Sequence, residues 1–307
     1  MKKISVITVN FNQPVVTEEL LSSISEKNTY PNLEVIIVDN GSTTKSVTEG
    51  ITKIPDVRVI RSDVNLGFAG GNNLGIKEAS GDYFFLVNND TEFTDNLVEG
   101  LAAILDQNPK VGIVSPKIRF FHQPDILQYV GFTEMNFNTA RNSCIGELEI
   151  DRGQYDHLTG KTGFAHGAAM MVRRDALEKA GLMKENFFLY YEEMDWCEQI
   201  KRAGYEIWVE PKAMIYHKES MSVGKKSGLK EFFMNRNRIL FVRRNAPLLS
   251  RFIFYLHFCL LVTPKNIISY IKDGRFDLIP HLFKAIWWNA TNKTDSTYLG
   301  YPIRKIS

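Results

Sequence analysis

Cysteine is scarce in this chain: only Cys144, Cys197 and Cys259 occur in 307 residues, and they lie far apart. An odd, scattered set argues against a disulfide framework and against a clustered-thiol metal site, and fits a reducing, cytoplasmic setting. Long apolar runs are also missing. The longest, Phe252 to Val262, contains His257 and falls short of the ~20 residues a membrane-spanning helix needs, so no bilayer crossing is expected. The apolar stretch after Met1-Lys2-Lys3 breaks at Asn10-Phe11-Asn12-Gln13-Pro14, so no cleavage is expected there. Neither sign of charge dominates, with 37 Lys and Arg against 35 Asp and Glu, and no nucleic-acid partner is expected. There is no internal repeat, no low-complexity linker, no GxGxxG fingerprint and no phosphate loop ending in GK[ST]. A chain of this length that is 44% hydrophobic can still bury a large core, which makes disorder a poor description.

What is there is an alternation of strand and helix patterns. Ile4 to Val9, Leu33 to Val38, Val57 to Arg61 and Tyr83 to Val87 read as strands rich in Val, Ile and Phe with little alternation, as in a sheet buried on both faces. Helices are expected over Val16 to Glu26 and near Leu74 to Ala79, so the first hundred residues predict a Rossmann-like, mostly parallel doubly wound sheet. Val111 to Val114 reads as another buried strand, and 118 to 150 as irregular strands or hairpins. Gly167 to Val172 reads as a strand feeding a helix over Arg174 to Ala180, and Glu192 to Ala203 as a further helix. The expected division is an α/β domain over 1–224, with a nucleotide half to about 110, followed by a helical region over 225–307.

That last region is uneven in charge. Eight Lys or Arg fall between Lys225 and Arg251 against Glu231 alone, interleaved with Phe232, Phe233 and Phe241. Two readings stay open: a peripheral contact with an anionic membrane face through 225–290, or a solvated helical face over buried aromatics.

Four constellations carry chemistry. Polar groups end three of the strands: Asn10 and Asn12, Asp39-Asn40-Gly41-Ser42, and Asn88-Asn89-Asp90. In an open α/β sheet those ends converge on one crevice, although the Asp39 run alone also reads as a turn with a helix cap. Asn65-Leu66-Gly67-Phe68-Ala69-Gly70-Gly71-Asn72-Asn73-Leu74-Gly75 is a glycine-rich loop whose following helix would bare its first amides to an anion, or simply a tight turn. Tyr190-Tyr191-Glu192-Glu193-Met194-Asp195 sets three carboxylates in the first turn of a helix. They either offset the helix dipole or, beside apolar rings, supply a base of raised pKa. His217 follows the strand-like Ala213 to Tyr216.

Taken together, Ile4–Asn12, Val35–Ser42, Asn65–Gly75, Phe84–Thr91, Gly167–Arg174, Phe187–Gly204 and His217 resemble the family 2 inverting GT-A glycosyltransferases, especially their rhamnosyltransferase-like branch. The resemblance implies a GT-A fold and a nucleotide-sugar donor, dTDP- or UDP-linked, with dTDP-L-rhamnose the first choice. Val9, Asn10, Phe11 and Asp39 would surround the base, and Asn65, Gly70, Gly71 and Asn72 would line the nucleotide-sugar. Asp90, with His217, would ligate Mg²⁺ or Mn²⁺. Glu193 takes the general-base position and Asp195 a supporting one. The acceptor implied is a glycan or a polyprenyl-pyrophosphate-linked glycan, at the inner face of the cell membrane. Three positions depart from the family pattern: Asn88 replaces the first Asp of DxD, Glu193 stands where many relatives carry Asp, and Gly71 stands where other branches carry Arg. A nucleotidyltransferase would need a Gly-rich, Lys- or Arg-bearing loop after the first strand, where this chain has Asn10-Phe11-Asn12-Gln13-Pro14. A non-catalytic nucleotide-sugar binding module is the other alternative.

Overall fold

The computed structural model describes residues 1–43, 54, 56–218 and 227–302. The N-terminal part alternates β1 (Ile4–Asn10), α1 (Pro14–Lys27), β2 (Leu33–Asn40), β3 (Val57–Ser62), α2 (Gly67–Glu78), β4 (Tyr83–Val87), β5 (Thr91–Phe93) and α3 (Leu97–Gln107). The middle adds β6 (Val111–Phe120), β7 (Gln123–Tyr129), β8 (Gly160–Lys161), β9 (Ala169–Arg173), α4 (Arg174–Ala180), α5 (Glu192–Arg202) and β10 (Glu206–His217). Helices α6 (Gly228–Asn245), α7 (Leu248–His257), α8 (Thr263–Lys272) and α9 (Ile279–Thr291) complete it.

The strands form one sheet in the order β3-β2-β1-β4-β9-β6-β10-β5, with β7 on β6 and β8 on β10. The four strands from β3 to β4 are parallel, as their unbroken Val/Ile/Phe runs require. Beyond them the sheet is more mixed than the first hundred residues suggest, because β9 pairs antiparallel with both β4 and β6. In register, Asn10 stands beside Asp39, so the polar ends of β1 and β2 finish at the same level.

Helix α2 starts at Gly67, seven residues before the helix expected near Leu74, and the Gly-rich run is therefore helix rather than loop. The reason is close packing on the sheet. A Cβ at Gly71 would lie 2.8 Å from Val9 Cγ1, and one at Gly75 would lie 2.4 Å from Ile7 Cγ2. Two of the helix's first amides are also not bared: Gly67 N–H donates to Asn65 Oδ1 (2.8 Å) and Phe68 N–H to the Phe188 carbonyl (2.7 Å).

The C-terminal helices are built into the domain. Ile239, Leu240, Phe241 and Val242 of α6 share one buried cluster with Ile7 and Ile36 of the sheet and Trp196 of α5. The basic segment is largely internal. Arg236 is fully buried, Arg243 donates to the Asn292 carbonyl (2.9 Å), and Arg244 pairs with Asp195 (2.8 Å). Arg236, Arg243 and Arg244 are thus engaged by groups of the protein itself; Lys225 and Lys226 lie outside the described residues. The break at His257 does not stop the helix either. Through a π turn (Phe258–Val262), α7 and α8 run on as one 25-residue helix, Leu248–Lys272, long and apolar enough by length and composition to cross a membrane. The sequence expectation, based on the uninterrupted apolar run alone, underestimates that length.

Phe188, Tyr190 and Tyr191, just before α5, have φ of 64°, 72° and 71°, a left-handed backbone that bulky residues rarely adopt. Helix α6 pins this segment. Asn237 Nδ2 donates to the carbonyls of Phe187 (2.9 Å), Leu189 (2.7 Å) and Tyr190 (2.8 Å), and Arg236 donates to those of Phe187 (3.1 Å) and Asn186. Asn237→Ala should therefore lower unfolding free energy by about 1–3 kcal/mol, the cost of leaving buried carbonyls short of donors. Urea titration checks it, and an unchanged midpoint would show that the clasp is dispensable.

Candidate active site

A cavity of about 240 Å³ opens at the carboxyl ends of the parallel strands, where ligands bind on such sheets. Val9 and Phe11 come from the end of β1, Asn40 from β2, and Asn65, Gly67 and Phe68 from the start of α2. Asn88, Asn89 and Asp90 follow β4, and Phe188, Leu189 and Leu229 close the far side.

Asp90 and His217 are brought together by the antiparallel pairing of β5 with the end of β10, which sets His217 beside Thr91. Asp90 Oδ1 and His217 Nε2 lie 3.2 Å apart, and neither atom makes a hydrogen bond although both are buried. The other ring nitrogen, Nδ1, meets Gln128 Oε1 at 2.8 Å. With Nδ1–H donating to that oxygen, Nε2 turns a lone pair toward a carboxylate oxygen. Two lone pairs that close and shielded from water are the donor set of a divalent cation, so these residues fit one. Among the described residues no group of three or more His, Cys, Asp or Glu could hold a metal, so such an ion would draw its remaining ligands from water or from a bound diphosphate. His166 backs the site with its ring 6.1 Å from that of His217. Burial, reinforced by His217, pushes its pKa down to about 3, so it stays neutral at physiological pH.

Glu193 stands at the first turn of α5, behind the Phe68 ring. Gly167 marks the meeting point: a Cβ there would lie 3.6 Å from Glu193 Cγ and 3.8 Å from Phe68 Cζ. The missing side chain leaves room between the Glu193 side chain and the Phe68 ring. Burial raises the Glu193 pKa above the ordinary carboxylate range. Neighbouring Glu192 is deeper, keeps Oε2 without a hydrogen-bond partner, and is driven up further, by burial first and by the Glu193 charge second.

The other residues expected at the site fall into two groups. Val9, Phe11 and Asn65 line the cavity with Asp90, whereas Asn10, Asp39, Gly70, Gly71, Asn72, Glu193, Asp195 and His217 are not among its lining residues. Asn10 is a clasp: its Oδ1 accepts from Gln13 N–H (3.2 Å) and Thr17 Oγ1 (3.0 Å), and its Nδ2 donates to Ser42 (3.3 Å). Asp39 is fully buried; Oδ1 accepts from Ser42 N–H (3.2 Å), while Oδ2 has no hydrogen-bond partner. Gly71 faces Val9, Gly70 faces the Leu66 side chain, and Asn72 donates back to the Phe68 carbonyl (3.0 Å). Asp195 points away from the cavity into a buried knot with Arg244 Nε (2.8 Å), Asn245 Nδ2 (2.8 Å) and Gln199 Nε2 (3.1 Å). Sequence reasoning misses Gln128, His166, Phe188, Leu189 and Leu229. Of these, only the Phe187-to-Tyr191 aromatic run gave a signal.

The family model described as Glycosyl transferase family 2 matches residues 5–181. The chain belongs to glycosyltransferase family 2. Among curated relatives, the low-salt glycan biosynthesis hexosyltransferase Agl10 of Haloferax volcanii is 29% identical over 66% of this chain and 63% of its own length. The N-acetylglucosaminyl-diphospho-decaprenol L-rhamnosyltransferase of Mycobacterium tuberculosis is 23% identical over 72% of this chain and 77% of its own. The dTDP-rhamnosyl transferase RfbF of Shigella flexneri is 24% identical over 82% and 86%. The match thus spans less than two thirds of the Haloferax protein. Solved structures agree on the fold. GalNAc-T7 with UDP, GalNAc and Mn²⁺ superposes with a TM-score of 0.62 at 14% identity, over 79% of this chain and 48% of that one. Staphylococcus aureus TarS 1-349 with UDP-GlcNAc gives 0.59 at 18% identity, over 92% and 79%. The expected family 2 glycosyltransferase with a GT-A fold is what these comparisons return.

The knot around Asp195 makes a stability prediction. Asp195→Asn should cost about 3–5 kcal/mol by leaving Arg244 buried without its partner. Thermal or urea unfolding measures this, and a loss of turnover with unchanged stability would instead return Asp195 to the chemistry.

Proposed function

We propose that the chain transfers a sugar from a nucleotide-sugar to a hydroxyl of a glycan or lipid-linked glycan acceptor, with inversion at the anomeric carbon. The single observation that carries this reading is the facing pair Asp90 and His217, with Asp90 on the cavity wall and, behind the cavity-lining Phe68 across Gly167, a carboxylate of raised pKa at Glu193.

In this reading Phe11, 37% exposed at the cavity, offers its ring to the base of the donor. The buried Oδ2 of Asp39 is an acceptor in want of an N–H, which a pyrimidine imide has. Asp90 and His217 would hold Mg²⁺ or Mn²⁺, which when bound offsets the charge growing on the departing diphosphate. Because Asn88 stands in place of the first DxD carboxylate, Asp90 supplies that site's one protein anion from the motif. Glu193 accepts the proton of the attacking hydroxyl, which becomes acidic as its bond to carbon forms, so a carboxylate is a sufficient base. Glu192 is not suited to that work, since burial keeps its proton more firmly.

The choice of dTDP-L-rhamnose as donor is supported by the rhamnosyltransferases of Mycobacterium and Shigella among the relatives, and a UDP-sugar by the UDP and UDP-GlcNAc complexes of GalNAc-T7 and TarS. A lipid-linked acceptor at the inner membrane face agrees with the Mycobacterium relative's decaprenol substrate.

Glu193→Gln should lower kcat about 10²–10⁴-fold while donor binding persists, and wild-type kcat/KM should fall on the acid side with an apparent pKa above that of an ordinary glutamate. Steady-state assays across pH on a donor chosen by thermal-shift screening measure both. Near-normal turnover of the variant would remove Glu193 from the base role.

A further inference from the structure

A second cavity, of about 250 Å³, lies outside the donor cleft, between the 139–141 turn and the α7–α8 helix. Thr139, Arg141, His257, Leu261, Val262 and Lys265 line it. Three of these are basic and none of the described lining residues is acidic. Arg238 adds a third permanently charged group, beside Arg141 and Lys265, through its bond to the Thr139 carbonyl. Two buried nitrogens there have no hydrogen-bond partner: Arg238 Nε, a donor, and His257 Nε2. Burial lowers the pKa of both side chains, and the nearby Arg141 lowers each further. Like charges gathered with an unmet donor are what an anion relieves.

The same helix presents an apolar face to solvent. Leu248, Leu249, Phe252, Leu256, Leu260 and Leu261 are 48–80% exposed, while Phe254, Phe258, Val262 and Tyr270 on the other side are packed against the protein. Helix Leu248–Lys272 carries no exposed charged residue before Lys265. With one side packed and the other bare, the helix suits a membrane interface better than a full crossing. Leu261 belongs to both the bare face and the cationic cavity, so an anion in that cavity would sit at the edge of the apolar layer, at headgroup level. The cavity also adjoins the chemistry. Tyr191 lies within electrostatic reach of Arg238 and Arg141 and also of Glu193.

We infer that this cavity holds the phosphate or pyrophosphate of a membrane lipid bearing the acceptor sugar, with the exposed face of α7 and the π turn set into the same membrane. The inference rests on the transferase reading and names its acceptor class. The lipid phosphate would be fixed at Arg141, Arg238, His257 and Lys265, and its sugar would extend past Tyr191 toward Glu193.

The test is sedimentation of the full chain with three kinds of vesicle: phosphatidylcholine alone, phosphatidylcholine with phosphatidylglycerol, and phosphatidylcholine with undecaprenyl phosphate. Wild type should bind phosphatidylcholine in a manner insensitive to salt, and bind the undecaprenyl phosphate vesicles roughly tenfold more tightly. Arg141→Ala with His257→Ala should abolish that gain and leave phosphatidylcholine binding in place. Leu256→Ser with Leu260→Ser should weaken binding to all three, with circular dichroism confirming that both variants fold. A gain that survives in the Arg141/His257 variant, or an equal gain with phosphatidylglycerol, would overturn the proposal. So would inorganic pyrophosphate binding as tightly without vesicles, which would assign the cavity to a soluble anion. Mn²⁺-dependent hydrolysis of the nucleotide-sugar by wild type, read in parallel, reports on the transferase reading independently of the lipid result.

Discussion

The segment from Phe188 to Tyr191 is held in a backbone conformation that its own residues disfavour, and most of the site is positioned through it. Three bulky residues there lie in the left-handed region, each at a cost of about 1–3 kcal/mol. The restraint comes from α6, whose Asn237 and Arg236 occupy the carbonyls that this geometry turns outward, and whose Phe233 stacks on Phe188 at 5.2 Å. The Phe188 carbonyl in turn receives the Phe68 N–H at the head of α2. One clasp thus fixes the start of α5, where Glu192 and Glu193 sit, and the start of α2, where the cavity floor begins. It also explains why the C-terminal helices share a core with the sheet and lend Leu229 to the cavity.

The clasp also sets the electrostatics. Arg236 is buried so completely that its pKa falls to about 9, against the opposing pull of Glu192. Glu192, pressed between that burial and a second carboxylate, has its pKa raised further than that of Glu193. Two adjacent glutamates are thereby given different proton affinities by depth. Elsewhere at the site the problem is reversed: Asp90 and His217 bring two unpartnered buried atoms to 3.2 Å, a pair that would hold a divalent cation.

Much of this was legible in the residues. The parallel half of the sheet follows from Val/Ile/Phe runs, helices α4 and α5 end at Gly181 and Gly204, whose positive φ of 84° and 93° their neighbours could not match, and the polar strand ends mark the crevice. What could not be read was whatever depends on partners distant in sequence. The glycines of 65–75 read as an anion loop because their spacing cannot reveal that Gly71 and Gly75 face Val9 and Ile7. Asp195 resembles its acidic neighbours in the motif, and only Arg244, 49 positions away, shows that its carboxylate is turned to the core. The arginines of α6 looked like a surface because charge counts carry no information on depth. Gln128, in an irregular hairpin, had no pattern at all to connect it with His217, 89 residues later.

The account stands or falls on the Asp90–His217 pair. Calorimetric titration of UDP and dTDP into the wild-type chain and into His217→Ala, with and without Mn²⁺, addresses it directly. The account predicts that Mn²⁺ tightens nucleotide diphosphate binding to the wild type and has no such effect on the variant. Equal affinity in all four conditions would contradict it.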